Sequence, residues 1–204
     1  MGRIKSALEI AMEKTESVKG DRASINQFET KQRGKRLAND FLESLKRDPA
    51  GDPKKSLEEQ IRKTNKDEQN SLKQGICDVL VSCLVLPDTE EDLSRVEAAA
   101  RGLQVILNDN RFNSMAKQLS QVLRQYLNEA AQYEDAIKRQ YAPKLRQKEE
   151  ELARRLGRKV QLDPFQDPEF VAFFNQNMNL LRENYQAAVN QLRDNAAAHF
   201  EKTE

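Results

Sequence analysis

Tryptophan is absent from the chain, and histidine occurs once, at His199. One histidine excludes the di-iron bundle chemistry that needs two Glu-x-x-His pairs, and it leaves no imidazole set for zinc. Cysteine is nearly as scarce. Cys77 and Cys83 are the only two, and on a helix a six-residue step puts their Cα atoms about 10 Å apart, beyond disulfide reach. The spacing is neither C-x-x-C nor a zinc pattern, so buried, inert thiols are expected. Glycines are few and scattered, with no phosphate-cradling loop and no G-x-S-x-G elbow. Ser114 and Lys117 fit S-x-x-K, but its companion motifs are missing. No cofactor, no metal site and no enzymatic activity are expected.

Long apolar runs are also lacking. The greasiest stretch, GICDVLVSCLVLP at 75–87, has 11 residues from Ile76 to Leu86, with Asp78 among them. A membrane span needs about 20. No span is expected, and the stretch is read as the second half of a long buried helix ended by Pro87. The first residues carry no apolar h-region, so no secretory signal is expected, and a cytoplasmic location follows as the expectation.

Charge of one sign is lacking overall. Lys and Arg number 34 against 33 Asp and Glu, a net charge of +1, which argues against a dedicated polyanion binder. The distribution is less even. Residues 111–160 carry 12 Lys/Arg and 6 Asp/Glu, a balance of +6, while 88–110 and 161–204 each come to −4. Segments of opposite sign can pair within a fold or between subunits.

What the chain does have is helical period. Ile4, Leu8, Met12 and Val18 fall at three- and four-residue steps, with Gly20-Asp21 as the expected stop. Residues 22–47 resume as helix, with Gly34 a weak point. DPAGDP at 48–53 is a break, after which Ser56 and Glu59 read as a capping box. Asp88 or Thr89 caps the next helix, and NDN at 108–110 is a turn. From Leu119 through Tyr126, Tyr133, Ile137, Tyr141, Leu145 and Lys148 to Leu156, a repeat near 3.5 predicts a coiled-coil-like helix. Pro143 is expected to kink or break it, and Gly157 to end it. LDPFQDP at 162–168 is a second break, with Asp167 as cap and Pro168 at the first position of a helix to about 201.

Strand signals are almost absent. The expected fold is all-α, an elongated antiparallel bundle of about five or six helices with coiled-coil-like long helices. Residues 1–47 form an N-terminal helical region able to act as an arm, and 54–204 form the main bundle.

Three features are candidates for contact with other molecules. The first is the narrow N-terminal stripe Ile4, Leu8 and Met12, suited to a groove or a neighbouring copy. The second is aromatic: Phe165, Phe170, Phe173 and Phe174 lie within ten residues, and Tyr126, Tyr133 and Tyr141 form a line on one helix. Both groups suit either an intramolecular core or an interface. The third is the basic cluster Arg154, Arg155, Arg158 and Lys159, a candidate anion contact without aromatic platforms. The leading functional expectation is a non-catalytic structural or interaction protein that self-associates or scaffolds protein partners. One alternative is a nucleic-acid-associated helical protein using the basic 138–159 side. Another is a small-molecule-binding bundle with a cavity at Phe165–Phe174.

Overall fold

The computed structural model describes residues 7–48 and 53–201, with side chains over 24–48 and 54–198. Among them are six α-helices, one 3-10 turn and no strand: α1 Ala7–Arg47, α2 Pro53–Lys63, α3 Lys66–Ser82, α4 Glu90–Leu107, α5 Asn110–Leu156 and α6 Pro168–Glu201, with the turn at Pro164–Gln166. The fold is an all-α helical bundle. It divides into two compact units. One holds residues 1–84, 98–109 and 196–204, and the other holds 85–97 and 110–195.

In the first unit, α1 lies on α3. Thr30, Gly34, Ala38, Phe41 and Leu45 recur at three- and four-residue steps and are buried, so one narrow face of α1 is embedded. It meets Leu72, Gly75, Ile76 and Leu80 of α3 at close range. A Cβ placed on Gly34 would run into the Leu72 carbonyl, and one on Gly75 into the Lys31 carbonyl. Lys31 thus lies opposite Gly75 and Gly34 opposite Leu72, so the two helices run in opposite senses where they cross. Lys31 Nζ closes the contact on Asp78 at 2.9 Å.

Three local expectations are corrected here. Gly20-Asp21 does not stop α1, which is helical from Ala7 to Arg47; one glycine costs a helix only about 1 kcal/mol. Ser56 is not an N-cap, because α2 begins at Pro53, where a proline at the first helical position loses no needed donor. The helix expected from Ser56 to Pro87 is two helices. Asn65 takes an extended ψ of 144°, Thr64 Oγ1 donates to the Gln60 carbonyl at 2.9 Å, and Arg33 Nη2 donates to Thr64 Oγ1 at 3.0 Å. Asn65 followed by Asp67 and Glu68 is an N-terminal signature in its own right.

Residues 75–84 of the GICDVLVSCLVLP stretch belong to this unit, and 85–87 to the other. Gly75, Ile76, Cys77, Leu80, Cys83 and Leu84 are buried, and α3 ends at Ser82, five residues short of Pro87. Both thiols are free. Burial, with the Asp78 carboxylate beside it, pushes the Cys77 thiol up to about 12, so it stays protonated and unreactive at neutral pH.

In the second unit, the first turn of α4 is fixed by a reciprocal box. Asp92 N donates to Thr89 Oγ1 at 3.2 Å and Thr89 N donates to Asp92 Oδ2 at 3.1 Å. α4 gives way to α5 through Asn108, whose φ is 47°. α5 then runs 47 residues, with Pro143 inside it. Of the kink or break expected at Pro143, the break does not occur. Gly157, at φ 66°, provides the left-handed residue after its end. Tyr126 packs on Tyr185 and Tyr141 on Phe170, with ring centroids 5.1 and 5.2 Å apart. Numbers rise along α5 as they fall along α6, so the two helices form an antiparallel hairpin.

Candidate functional site

The base of the α5–α6 hairpin carries the densest polar network of the second unit. Tyr141, Lys144 and Lys148 share one face of α5 at steps of three and four. Asp167 and Glu169 stand where α6 begins. Asp167 Oδ1 accepts from the Glu169 amide at 3.1 Å, the expected cap. The same carboxylate accepts from Lys148 Nζ at 2.9 and 2.7 Å and from the Tyr141 hydroxyl at 3.0 Å. Lys148 Nζ also donates to Glu169 Oε2 at 2.6 Å, and Lys144 Nζ reaches the same oxygen at 3.0 Å. Asp167 is buried at 8% exposure, and every lone pair it presents inward has a donor.

The electrostatics follow from these contacts. The Lys148 ammonium holds the Asp167 carboxyl below its ordinary value, and Lys148 with Lys144 does the same for Glu169. Lys148 itself is raised by its bond to Asp167 and then by Glu169. The Tyr141 hydroxyl is raised, first by burial and then by Asp167. The two carboxyls go down while the lysine and the tyrosine go up, so each group titrates further from neutral pH. Such a network is a clamp between helices and is poorly suited to proton transfer at neutral pH.

A second polar contact sits further along the hairpin. Tyr185 donates to Glu129 Oε2 at 2.6 Å and Gln125 Nε2 donates to Glu129 Oε1 at 2.7 Å. The bond to Glu129, with burial second, pushes the Tyr185 hydroxyl up to about 12. On α4, Glu97 accepts from Arg124 Nη2 at 2.7 Å and from Ser120 Oγ.

Beside the clamp is a cleft of about 270 Å³, lined by Leu152, Leu162 and Pro168 with Lys148, Arg155 and Asp163 at its polar side. None of the Phe165–Phe174 rings lines it. Phe165 meets Phe170 and Phe174 edge-on and Phe170 lies tilted against Phe174, with centroids 5.2 to 5.8 Å apart, and Lys138 Nζ lies 5.5 Å over the Phe165 ring.

The structure separates the candidate residues into distinct environments. Tyr126, Tyr141 and Phe170 are buried in the hairpin, and Phe173 and Phe174 are half-buried against Ile137, Tyr141 and Met178. Tyr133 is 39% exposed, whereas Leu123, outside the repeat, is fully buried. Arg154, Arg155, Arg158 and Lys159 are all exposed at the end of α5 and just past it. Ile4 and the side chains of Leu8 and Met12 lie outside the described residues, as does the His199 side chain. Further along α1, residues 24–29 are exposed without interruption. They include Ile25 at 55% and Phe28 at 63% exposure.

Among the described residues no group of three or more His, Cys, Asp or Glu is placed to hold a metal ion, and no helix is long and apolar enough to cross a membrane. Neither the curated proteins nor the solved structures contain a match to the chain. A family model does match, over residues 58–198, and with that span covered the chain belongs to DUF6657, a family of unknown function.

Proposed function

We propose that the chain is a non-catalytic helical structural or interaction protein, with a second copy of itself as its first partner. The observation that carries this reading is the 24–29 stretch of α1. Six consecutive residues of a helix are exposed, two of them large and apolar, whereas an isolated surface helix in water is stabilised by burying its apolar stripe. Support also comes from the polar networks, whose groups are shifted away from the range useful for acid–base catalysis. Cytoplasmic placement belongs to the same reading, since both thiols are free.

Sedimentation of the full chain tests it. Self-association that weakens in an Ile25→Glu/Phe28→Glu variant is the expected result. A monodisperse monomer at high concentration, with no protein partner recovered on pull-down, removes the reading.

One observation favours a second reading. Arg154, Arg155, Arg158 and Lys159 form an exposed basic cluster at a helix end, as a nucleic-acid contact on the 138–159 side requires. It predicts salt-sensitive binding that alanine at these four positions weakens, and absence of binding at low salt ends it. The small-molecule reading has less behind it, because the phenylalanines pack edge-on against one another.

A further inference from the structure

We infer that the C-terminal end of α5 docks on an anionic lipid bilayer, with Arg154, Arg155, Arg158 and Lys159 meeting the headgroups and Leu156 entering the acyl boundary. α6 begins beside Lys148, whose ammonium holds Asp167. α5 runs on to Leu156, about 12 Å past that contact at 1.5 Å per residue. The segment that returns to α6 covers only part of this overhang. The Leu162 amide donates to Glu149 Oε1 at 2.8 Å, and Leu152 is half-buried. One turn on, Leu156 is 56% exposed, although it holds the next seam position after Leu152. Gly157, at φ 66°, then turns the chain, and Arg158 and Lys159 follow, both exposed.

Charge and apolar surface thus meet in one place. From Leu152 to Leu162 the chain has four cations and no acid, and none of the four makes an ion pair with a described residue. The exposed Glu150 and Glu151 stand a turn earlier, further from a surface that the helix end approaches. A helix C-terminus favours cations, which accounts for their sign but not for a leucine left in water among them. Nucleic-acid phosphates would engage the cations alone. An anionic bilayer engages both, since its headgroups attract basic side chains and the boundary just beneath them takes an apolar one. The inference does not depend on self-association, and it sets the basic cluster against lipid rather than the nucleic acid of the second reading.

Flotation of the full chain with lipid vesicles tests this, beside thermal melting to check that each variant is folded. The unaltered chain is expected to bind vesicles of mixed phosphatidylcholine and phosphatidylserine, more weakly as salt rises, and to leave pure phosphatidylcholine vesicles free. A basic side chain near an anionic surface strengthens binding about fivefold, so alanine at all four positions should weaken it roughly 10²- to 10³-fold. Lysine at the three arginines should keep it. Leu156→Ser should weaken binding by about tenfold, with the melting midpoint unchanged. Absence of binding to the mixed vesicles overturns the inference, and so does equal binding to both vesicle types. Loss on removing the cations with none in Leu156→Ser overturns it as well, because the cluster then serves any polyanion. Duplex DNA bound by such a cluster would assign it to the nucleic-acid reading.

Discussion

Gly34 of α1 and Leu72 of α3 meet backbone to backbone: the space a side chain would need at 34 is occupied by the Leu72 carbonyl oxygen. Gly75 makes the reciprocal contact with the Lys31 carbonyl. A backbone atom inside a helix cannot swing aside as a side-chain tip can. Gly34→Ala and Gly75→Ala should each destabilise by roughly 2–3 kcal/mol, despite alanine's better helix propensity. Urea unfolding of the two variants measures it, and stability equal to the unaltered chain would show that the helices do not cross at this pair.

Phe170 anchors the hairpin core, fully buried and in contact with Tyr141, Phe165 and Phe174. Phe170→Ala should cost about 3–5 kcal/mol, read as a lower thermal midpoint. Phe165→Ala, at a ring that is half-exposed, should cost clearly less. Equal losses at the two positions would mean that Phe170 is not the central ring.

Acid should loosen the base of the hairpin. Asp167 has a folded-state value below its ordinary 3.8, so its contribution is fully present above about pH 4 and is lost as pH falls through the lowered folded value. Lys148, raised in the fold, contributes below its ordinary 10.5 and loses that contribution at more alkaline pH. Stability measured from pH 5 down to pH 2 should therefore fall less steeply in Asp167→Asn than in the unaltered chain. An identical slope would show that Asp167 is not held by Lys148.

Thr89→Ala removes one half of the reciprocal bonding with Asp92 at the start of α4. The expected loss is about 1 kcal/mol, and Thr89→Ser should recover most of it. A serine variant as unstable as the alanine one would put the effect in the methyl group.

Cys77 and Cys83 are buried, and the Cys77 thiol is driven towards the protonated form. A disulfide-exchange reagent should label neither in the folded chain at pH 8 and both in denaturant. Rapid labelling without denaturant would place the α3 segment at the surface.

The elements that could be read from the sequence are those whose ends carry their own chemistry. Asp167-Pro168, Gly157 and Thr89 mark helix ends in the structure because capping is local. Gly20 and Pro143 misled because each weakens a helix by a limited amount that a long helix with a packed face tolerates. Among the site residues, Tyr141 and Phe170 were visible as members of periodic lines, but periodicity alone does not say which inward position is filled by a neighbouring helix and which faces water. Tyr133 and Leu123 differ in that respect. Lys148 held the one overlooked signal. A lysine on an apolar seam needs a carboxylate within reach, and the cap residue Asp167 across the hairpin supplies it.

Pro143 leaves α5 unbroken, but it has no amide to give, so the Arg139 carbonyl four residues earlier lacks its intrahelical donor. Both residues face outward, where solvent can take that donor's place. In deuterium exchange, one continuous helix should then open as two blocks, with a step in protection between Arg139 and Pro143. Protection beyond the step would be governed by Lys148 and its grip on Asp167, and protection before it by the packing of Ile137 and Tyr126. The proline thus divides the longest helix in time while leaving it whole in space.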